Sequence, residues 1–333
     1  MKQRLSEFIT LQRGFDLPAS QRVLGEVPVV ASTGIVAWHN LAKVKAPGVV
    51  IGRSGSIGGG QFVEQDFWPL NTTLYVKDFK GNNPRYAYYA LKTIDFSAFN
   101  AGAGVPTLNR NHIASIEIEV LPRHIQDRIA GILSDYDSAI ANCRKQIALL
   151  EEAAMRLYRE WFKDGKGEKK KLCDVCDILY GKPHKDIPYG NIPIYGSAGI
   201  MRYGNKAKFA EESVLIPRKG TLDNVMYVDD PFWVVDTMFY TRFKISHMAK
   251  IAFYQLAKLK MSNMNTGTAV PSMTTETLYK LDLIVPPEEL RKRFDELVSK
   301  LFSAKKRCLL QIRTLTEARD RLLPKLMKGE VAV

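Results

Sequence analysis

Two stretches, GRSGSIGGGQFVEQDFWPLNTTLYV (Gly52–Val76) and PRKGTLDNVMYVDDPFWVVDTMFYT (Pro217–Thr241), are one passage written twice. Arg53 falls on Arg218 at an offset of 165, and the same offset pairs Gly55 with Gly220, Phe67-Trp68 with Phe232-Trp233, Thr72 with Thr237 and Tyr75 with Tyr240. Upstream, VASTGI from Val30 falls on YGSAGI from Tyr195. Downstream, GAGVPTLNRNHIASIEIEVLP from Gly102 falls on GTAVPSMTTETLYKLDLIVPP from Gly267. Farther on, Cys143 lies over Cys308, Ile147 over Ile312 and Arg156 over Arg321. A constant offset with no gap over about 120 residues marks a tandem duplication.

Each copy has two parts. The first parts, residues 1–122 and 172–287, mix short β-rich runs (PGVVIGR, TTLYVKDF, SIEIEVLP; SVLIPR, VVDTMFYTRF) with turn residues, and NPRYAYYALKTI and HMAKIAFYQLAKL read as helices between strands. The second parts are single long helices, 123–162 and 288–329. In the first, Ile125, Ile129, Ile132, Tyr136, Ile140, Cys143, Ile147, Leu150, Ala154, Leu157 and Trp161 recur at steps of three and four, the seam of a coiled coil. The second offers Leu290, Phe294, Leu297, Leu301, Cys308, Ile312, Leu315, Leu322 and Leu326, with Lys305 and Arg319 interrupting the seam. Forty helical residues make a rod of roughly 60 Å. KDGKGEKKK (163–171) reads as a polar linker. The fold class expected is α+β: two similar mixed α/β units separated by two long helices in an antiparallel coiled coil, with a pseudo-two-fold internal repeat. In that arrangement Cys143 and Cys308, both near helix midpoints, are expected to approach each other.

Composition sets outer bounds. The 333 residues carry a net charge of +13, spread along the chain with no basic tail, which suits a protein lying along a polyanion. No apolar run reaches membrane-spanning length and MKQRLSEFIT lacks a signal-peptide core, so a cytoplasmic protein is expected. Four cysteines make no disulfide framework, and Cys173 and Cys176 read as a buried, inert pair rather than half a zinc site.

GRSGSIGGG invites comparison with a phosphate loop, yet its glycines fit neither the dinucleotide fingerprint nor a Walker loop. In the second copy Pro217, Asp223 and Asn224 replace Gly52, Gly58 and Gly59, which a nucleotide cradle could not tolerate. Both copies keep Arg, a variable residue, Gly and a hydroxyl: Arg53-Ser54-Gly55-Ser56 and Arg218-Lys219-Gly220-Thr221. A tight turn presenting a cation and a hydroxyl suits DNA phosphates or base edges, and equally an ordinary exposed turn. Segments that differ between copies add candidates: Trp38, His39 and Asn40 opposite Arg202, Tyr203, Asn205 and Lys206, and Asn109, Arg110 and Asn111 opposite SMTTET (Ser272–Thr277). Trp38 and Tyr203 fit core aromatics as well as exposed ones. Arg suits guanine and Asn suits adenine, although a polar turn explains the trio too. The five histidines have no metal-ligand spacing and none coincides under the offset. Pro286-Pro287 is not the Asn/Asp-Pro-Pro-aromatic motif of amino-methyltransferases. No catalytic residues and no metal site are assigned.

The duplicated plan, with LYREWF (Leu157–Phe162) closing the first helix, RLLPKLMKGE (Arg321–Glu330) closing the second, LPRHIQDRIAGILSDYD (Leu121–Asp137) opening the first, and GAGVPTLNRNHI and GTAVPSMTTETL ending the two globular units, resembles the specificity subunits of type I restriction–modification systems. Arg291 stands where Gln126 stands in HIQDRIA, a departure from that pattern. The resemblance implies target-recognition domains at 1–122 and 172–287, each reading one half of a bipartite, asymmetric double-stranded DNA site. The helices would serve as spacer arms that fix the gap and dock two DNA adenine methyltransferase subunits. The chain would be non-catalytic and bind no cofactor, S-adenosylmethionine being expected on the partner subunits. Motor–nuclease subunits would join for restriction, and no membrane is involved. Two other readings remain at this stage, a coiled-coil scaffold without DNA readout and a duplicated enzyme with a cryptic site.

Overall fold

The computed structural model describes residues 2–102, 104–265, 271–331 and 333. Gly267–Val270, part of the repeated phrase of the second copy, lies outside the described residues. The first copy runs β1 (Lys2–Arg4), α1 (Leu5–Phe8), β2 (Thr10–Arg13), β3 (Val27–Ala31), β4 (Gly34–His39), β5 (Gly48–Gly52), β6 (Gly58–Val63), β7 (Trp68–Pro69), β8 (Thr73–Asp78), α2 (Pro84–Lys92), α3 (Arg110–Ile113), β9 (Glu117–Glu119) and α4 (Arg123–Trp161). The second runs β10 (Glu168–Lys171), α5 (Leu172–Val175), β11 (Cys176–Tyr180), β12 (Ile192–Gly196), β13 (Gly199–Gly204), β14 (Ser213–Pro217), β15 (Met226–Val228), β16 (Trp233–Val234), β17 (Met238–Phe243), α6 (Ala249–Ala257), α7 (Thr275–Tyr279), β18 (Asp282–Val285) and α8 (Glu288–Met327).

The sheets repeat strand for strand. The first copy has β2-β8-β5-β6, β4-β3-β7 and β1-β9; the second has β11-β17-β14-β15, β13-β12-β16 and β10-β18. The runs GVVIG and SVLIP become inner strands buried along their whole length, as a strand covered on both faces requires, with the one polar side chain, Ser213, donating to Thr241 O at 2.7 Å. The helix at 84–92 begins where Pro84 takes the first position and Asn83 accepts hydrogen bonds from Arg85 N (2.8 Å) and Tyr86 N (3.0 Å), so its leading amides are satisfied.

By its contacts the chain divides into two compact units, Met1–Arg144 with Leu309–Val333, and Lys145–Cys308. In the first, α1, the β2–β8–β5 face and α2 form a core that Ile129, Ala130 and Leu133 of α4 join, together with Leu323, Leu326 and Met327 of α8. Asp137 pairs with Arg319 and the Cys143 thiol reaches Gln311 Oε1 at 3.5 Å, so the helix segments of this unit run antiparallel. In the second unit Ala154 and Tyr158 of α4 and Phe294 and Val298 of α8 close the core. Glu151 pairs with Lys305 at 2.6 Å and the Cys308 thiol reaches Gln146 Oε1 at 3.3 Å, again antiparallel.

Those contacts explain the rough seam of α8. Lys305 and Arg319, which interrupt it, are the ion-pair partners of Glu151 and Asp137. Within its own unit each of Cys143 and Cys308 donates its thiol to the repeat-equivalent glutamine of the facing helix segment, Gln311 and Gln146. Leu297, expected in the seam, is 37% exposed while its neighbour Val298 is fully buried. The helix there serves the globular core as well as the coil, so its buried stripe is displaced.

Four of the nine residues expected to be linker are strand. Glu168–Lys171 pairs antiparallel with Asp282–Val285, and Asp282 binds Lys169 (3.0 Å) and Lys171 (2.7 Å), compensating charges that read as solvated in isolation. This strand is the counterpart of β1, and it shows that the repeat extends to the start of the chain at an offset of 167. Gly14 and Gly181 mark the same register: a Cβ would stand 2.2 Å from Leu70 O and 2.0 Å from Val235 O, so neither position has room for a side chain. Cys176 lies in the core, where burial pushes its thiol up to about 12, whereas Cys173 is half-buried and not the sealed partner expected. Among the described residues no helix is long and apolar enough to cross a membrane.

Candidate nucleic-acid interface

The Arg-x-Gly-hydroxyl turns sit at the ends of β5 and β14. Arg53 N and Ser54 N donate to Thr72 O at 2.8 and 3.1 Å; Arg218 N and Lys219 N donate to Thr237 O at the same distances. Gly55 (φ 81°) and Gly220 (φ 86°) take the left-handed conformation that L-residues avoid, which is why glycine stands at these two positions in both copies. After Gly52 the chain enters β6, not a helix, so no helix N-terminus stands behind the loop to receive a phosphate.

A second segment is laced to each turn. Leu108 N donates to Arg53 O (2.8 Å), Gly55 N to Pro106 O (2.9 Å), and Ser54 bridges to Thr107. In the other copy Met273 N donates to Arg218 O (2.9 Å), Gly220 N to Pro271 O (3.1 Å), and Lys219 bridges to Ser272. The turn and the segment that opens α3 or α7 therefore form one presenting frame. Residues 53–56 and 109–111, separate in the sequence, are brought together.

Within the frame the side chains divide by role. Arg53 Nη1 donates to Asn71 O (3.4 Å) and Arg218 Nη1 to Asp236 O (3.2 Å), repeat-equivalent contacts that set the direction of both guanidiniums. Ser56, Arg110, Asn111, Lys219 and Thr221 are exposed, and Ser54 is half-buried. Asn109 is exposed but occupied: its side chain accepts from Asn111 N at 2.9 Å as the cap of α3.

The β4 and β13 candidates lie on other sheets, β4-β3-β7 and β13-β12-β16. Their leading turns adjoin the frames, since a Cβ on Gly55 would be 3.9 Å from Ser32 Oγ and one on Gly220 2.9 Å from Ser197 Oγ. Trp38, Asn40, Asn205 and Lys206 are exposed and Tyr203 is half-buried. His39 is buried, its Nδ1 3.0 Å from Val23 N and its ring edge-on to Trp68 at 5.3 Å, which makes it a core histidine. Arg202 is an internal brace: its guanidinium bonds the His184 carbonyl, His184 Nδ1 (3.2 Å) and Ile187 O (3.0 Å). Ile35 and Val36, and their counterparts Ile200 and Met201, leave apolar surface exposed at matching positions.

Two residues at this end of the sheets escape the 165 offset. Arg13 closes β2 opposite Leu74, while Gly52, just before Arg53, lies opposite Thr73 on the other side of β8. Its counterpart at 167 is Tyr180, which carries Arg218 over its ring at 5.4 Å and lies 3.4 Å from Thr275 Oγ1. Comparing LSEFITLQRG with LCDVCDILYG from Leu5 and Leu172 would have found both. Among the described residues no cluster of three or more His, Cys, Asp or Glu could hold a metal ion.

The model of the type I restriction modification DNA specificity domain matches this chain twice, over residues 1–152 and 165–306. The chain belongs to that family. One matched range falls on each copy of the repeat. Across the family, this chain is 25% identical over 308 residues to the type I restriction enzyme MjaIX specificity subunit of Methanocaldococcus jannaschii, covering 74% of this chain and 69% of that one. It is 30% identical over 119 residues to the MjaVIII specificity subunit of the same organism, covering 30% and 28%. The crystal structure of a type I restriction–modification S subunit from M. genitalium has the same fold, with a TM-score of 0.71, 16% identity, and coverage of 98% of this chain and 95% of that one.

Proposed function

We propose that this family member is a non-catalytic, sequence-specific DNA-binding subunit in which each globular unit reads one half of a bipartite double-stranded site. The observation that carries the proposal is the pair of presenting frames. Their backbone bonds match, while the side chains differ: exposed Ser56, Arg110 and Asn111 with half-buried Ser54 in one copy, exposed Lys219, Thr221 and Glu276 with half-buried Thr275 in the other. A common scaffold with unlike reading groups is what an asymmetric site requires, since phosphate contacts position and base-edge contacts specify. The net charge of +13 favours a polyanionic partner.

The proposal extends to the assembly. The recognition domains would span 1–122 and 172–287, with α4 and α8 as spacer arms that set an unread gap, as any two-module reader needs. Two adenine methyltransferase subunits would dock on the arms and bring S-adenosylmethionine, motor–nuclease subunits would join for restriction, and the complex would work in the cytoplasm.

Selection from random duplex DNA by the full chain, co-purified with its methyltransferase partner, tests this. A two-part motif with a fixed unread gap is expected, with affinity falling steeply as salt rises. Retention without a motif, or none, would overturn it and leave a coiled-coil scaffold as the better account.

A further inference from the structure

The two presenting frames can be compared residue by residue, because backbone bonds fix their register. Leu108 N to Arg53 O corresponds to Met273 N to Arg218 O, and the Ser54–Thr107 bridge to Lys219–Ser272. Counting on from these anchors, Arg110 is matched by Thr275 and Asn111 by Glu276, each in the first turn of the short helix that follows. Asn111 and Glu276 are both exposed. The caps beneath them are matched too: Asn109 accepts from Asn111 N (2.9 Å) and Thr274 accepts from Thr277 N (3.2 Å).

We propose that this matched position is a specificity-determining site at which Asn111 selects adenine in one half-site and Glu276 selects cytosine in the other. This rests on the reading of the chain as a two-module DNA reader. An amide offers one donor and one acceptor and so complements adenine N6 and N7 in the major groove. A carboxylate only accepts. It complements the amino group of cytosine and is repelled by N7 of either purine and by O4 of thymine. Glu276 is an exposed carboxylate, ionised at neutral pH on its ordinary pKa, and Lys280, whose Nζ lies 2.7 Å from Oε1, lowers that pKa further by its hydrogen bond and charge. The pair is solvent-exposed on both sides, so it is weak and leaves Glu276 free to exchange partners. The first copy has Ser115 at the position of Lys280, matching a neutral amide that needs no counter-ion.

The neighbours of the two residues fit the same division. Arg13, Arg53 and Arg110 occupy the places of Tyr180, Arg218 and Thr275, so the first frame is richer in guanidinium donors suited to guanine. The first half-site should therefore be purine-rich on the strand it reads, and the second should contain cytosine.

The test compares full-length wild type, Glu276→Gln, Lys280→Ala and Asn111→Glu by selection from random duplex DNA and by binding to the selected duplex. Glu276→Gln should change one base of one half-site from cytosine to adenine, with roughly tenfold loss of discrimination at that position and no change in the gap or the other half. Asn111→Glu should introduce cytosine in the other half. Lys280→Ala should leave the selected bases unchanged, which separates base choice from a general charge effect. A wild-type motif that survives both Glu276→Gln and Asn111→Glu unaltered would overturn this inference alone. Absence of any wild-type motif would overturn it together with the two-reader proposal.

Discussion

Arg53 and Arg218 each hold one guanidinium nitrogen against a backbone carbonyl, which fixes their aim at the mouth of the turn. Arg53→Ala should lower affinity for the selected duplex by about 1–3 kcal/mol if it touches a base edge, with the change confined to one half-site. If it touches only phosphate, affinity should fall for all sequences and the slope of log K against log salt should drop by about 1. Titrating binding against salt separates the two. Asn109 and Asn111 look alike in the sequence and should behave differently. Asn109→Ala removes the cap of α3 and should cost about 1 kcal/mol of stability in urea unfolding. Asn111→Ala should leave stability within about 0.5 kcal/mol and relax base choice at one position. The shared turn geometry around Arg53 and Arg218 was legible because the repeat kept Arg-x-Gly-hydroxyl while the surrounding glycines changed, and the free side chains of the other candidates are a separate matter. His39, Arg202 and Asn109 were not, since each is occupied by a contact, with Trp68, with His184 and Ile187, and with Asn111, that only folding brings about.

The elements that fasten the second globular part to α8 centre on a buried charge cluster. Lys250 of α6 is 5% exposed and binds Asp295 Oδ1 at 2.6 Å and Glu212 Oε2 at 3.3 Å, while His247 Nδ1 lies 2.8 Å from Asp295 Oδ2. Burial alone would raise the Asp295 carboxyl pKa, but the hydrogen bonds from Lys250 and His247 outweigh it and hold the carboxyl below its ordinary value. A carboxyl depressed in the folded state adds stability above its unfolded value of about 3.9 and loses it as pH falls through the lower folded value. The second unit should therefore weaken progressively below about pH 4, and Asp295→Asn should remove that part of the acid dependence. At neutral pH the same substitution strands the Lys250 ammonium with only Glu212 and should cost about 3 kcal/mol, read as a lower urea midpoint. None of this is visible in sequence, where Lys250 and Asp295 lie far apart and the matching positions of the first copy are Arg85 and Ala130. The helices, by contrast, were legible almost to their ends, because a stripe repeated over forty residues has only one way to be buried. The strand Glu168–Lys171 was not, since four charged residues become a strand only when Asp282 and its neighbours are placed beside them.

For the whole molecule, duplication gives a direct test of the proposed two-reader arrangement. A chain in which residues 192–284 are replaced by residues 27–119 would carry the first reader in both positions. The junctions favour folding. Arg85 would replace Lys250 opposite Asp295, Glu64 would replace Asp229 opposite Lys306, and Tyr89 would replace Tyr254, which stacks on Tyr158 at 4.9 Å. Charge and ring are thus kept at those three contacts, while Glu212, Asp230 and His247 give way to Pro47, Gln65 and Asn82, so the chimera should retain a cooperative unfolding transition at a lower temperature than the parent. Selection from random duplexes should then return the same bases in both halves of the motif, separated by the parental gap, because α4 and α8 are untouched. A folded chimera that still selected the parental second half would place specificity in α4, α8 or residues 172–191, outside the exchanged segment. A folded chimera whose halves matched but whose gap changed would show that the globular parts, rather than the helices alone, set the spacing.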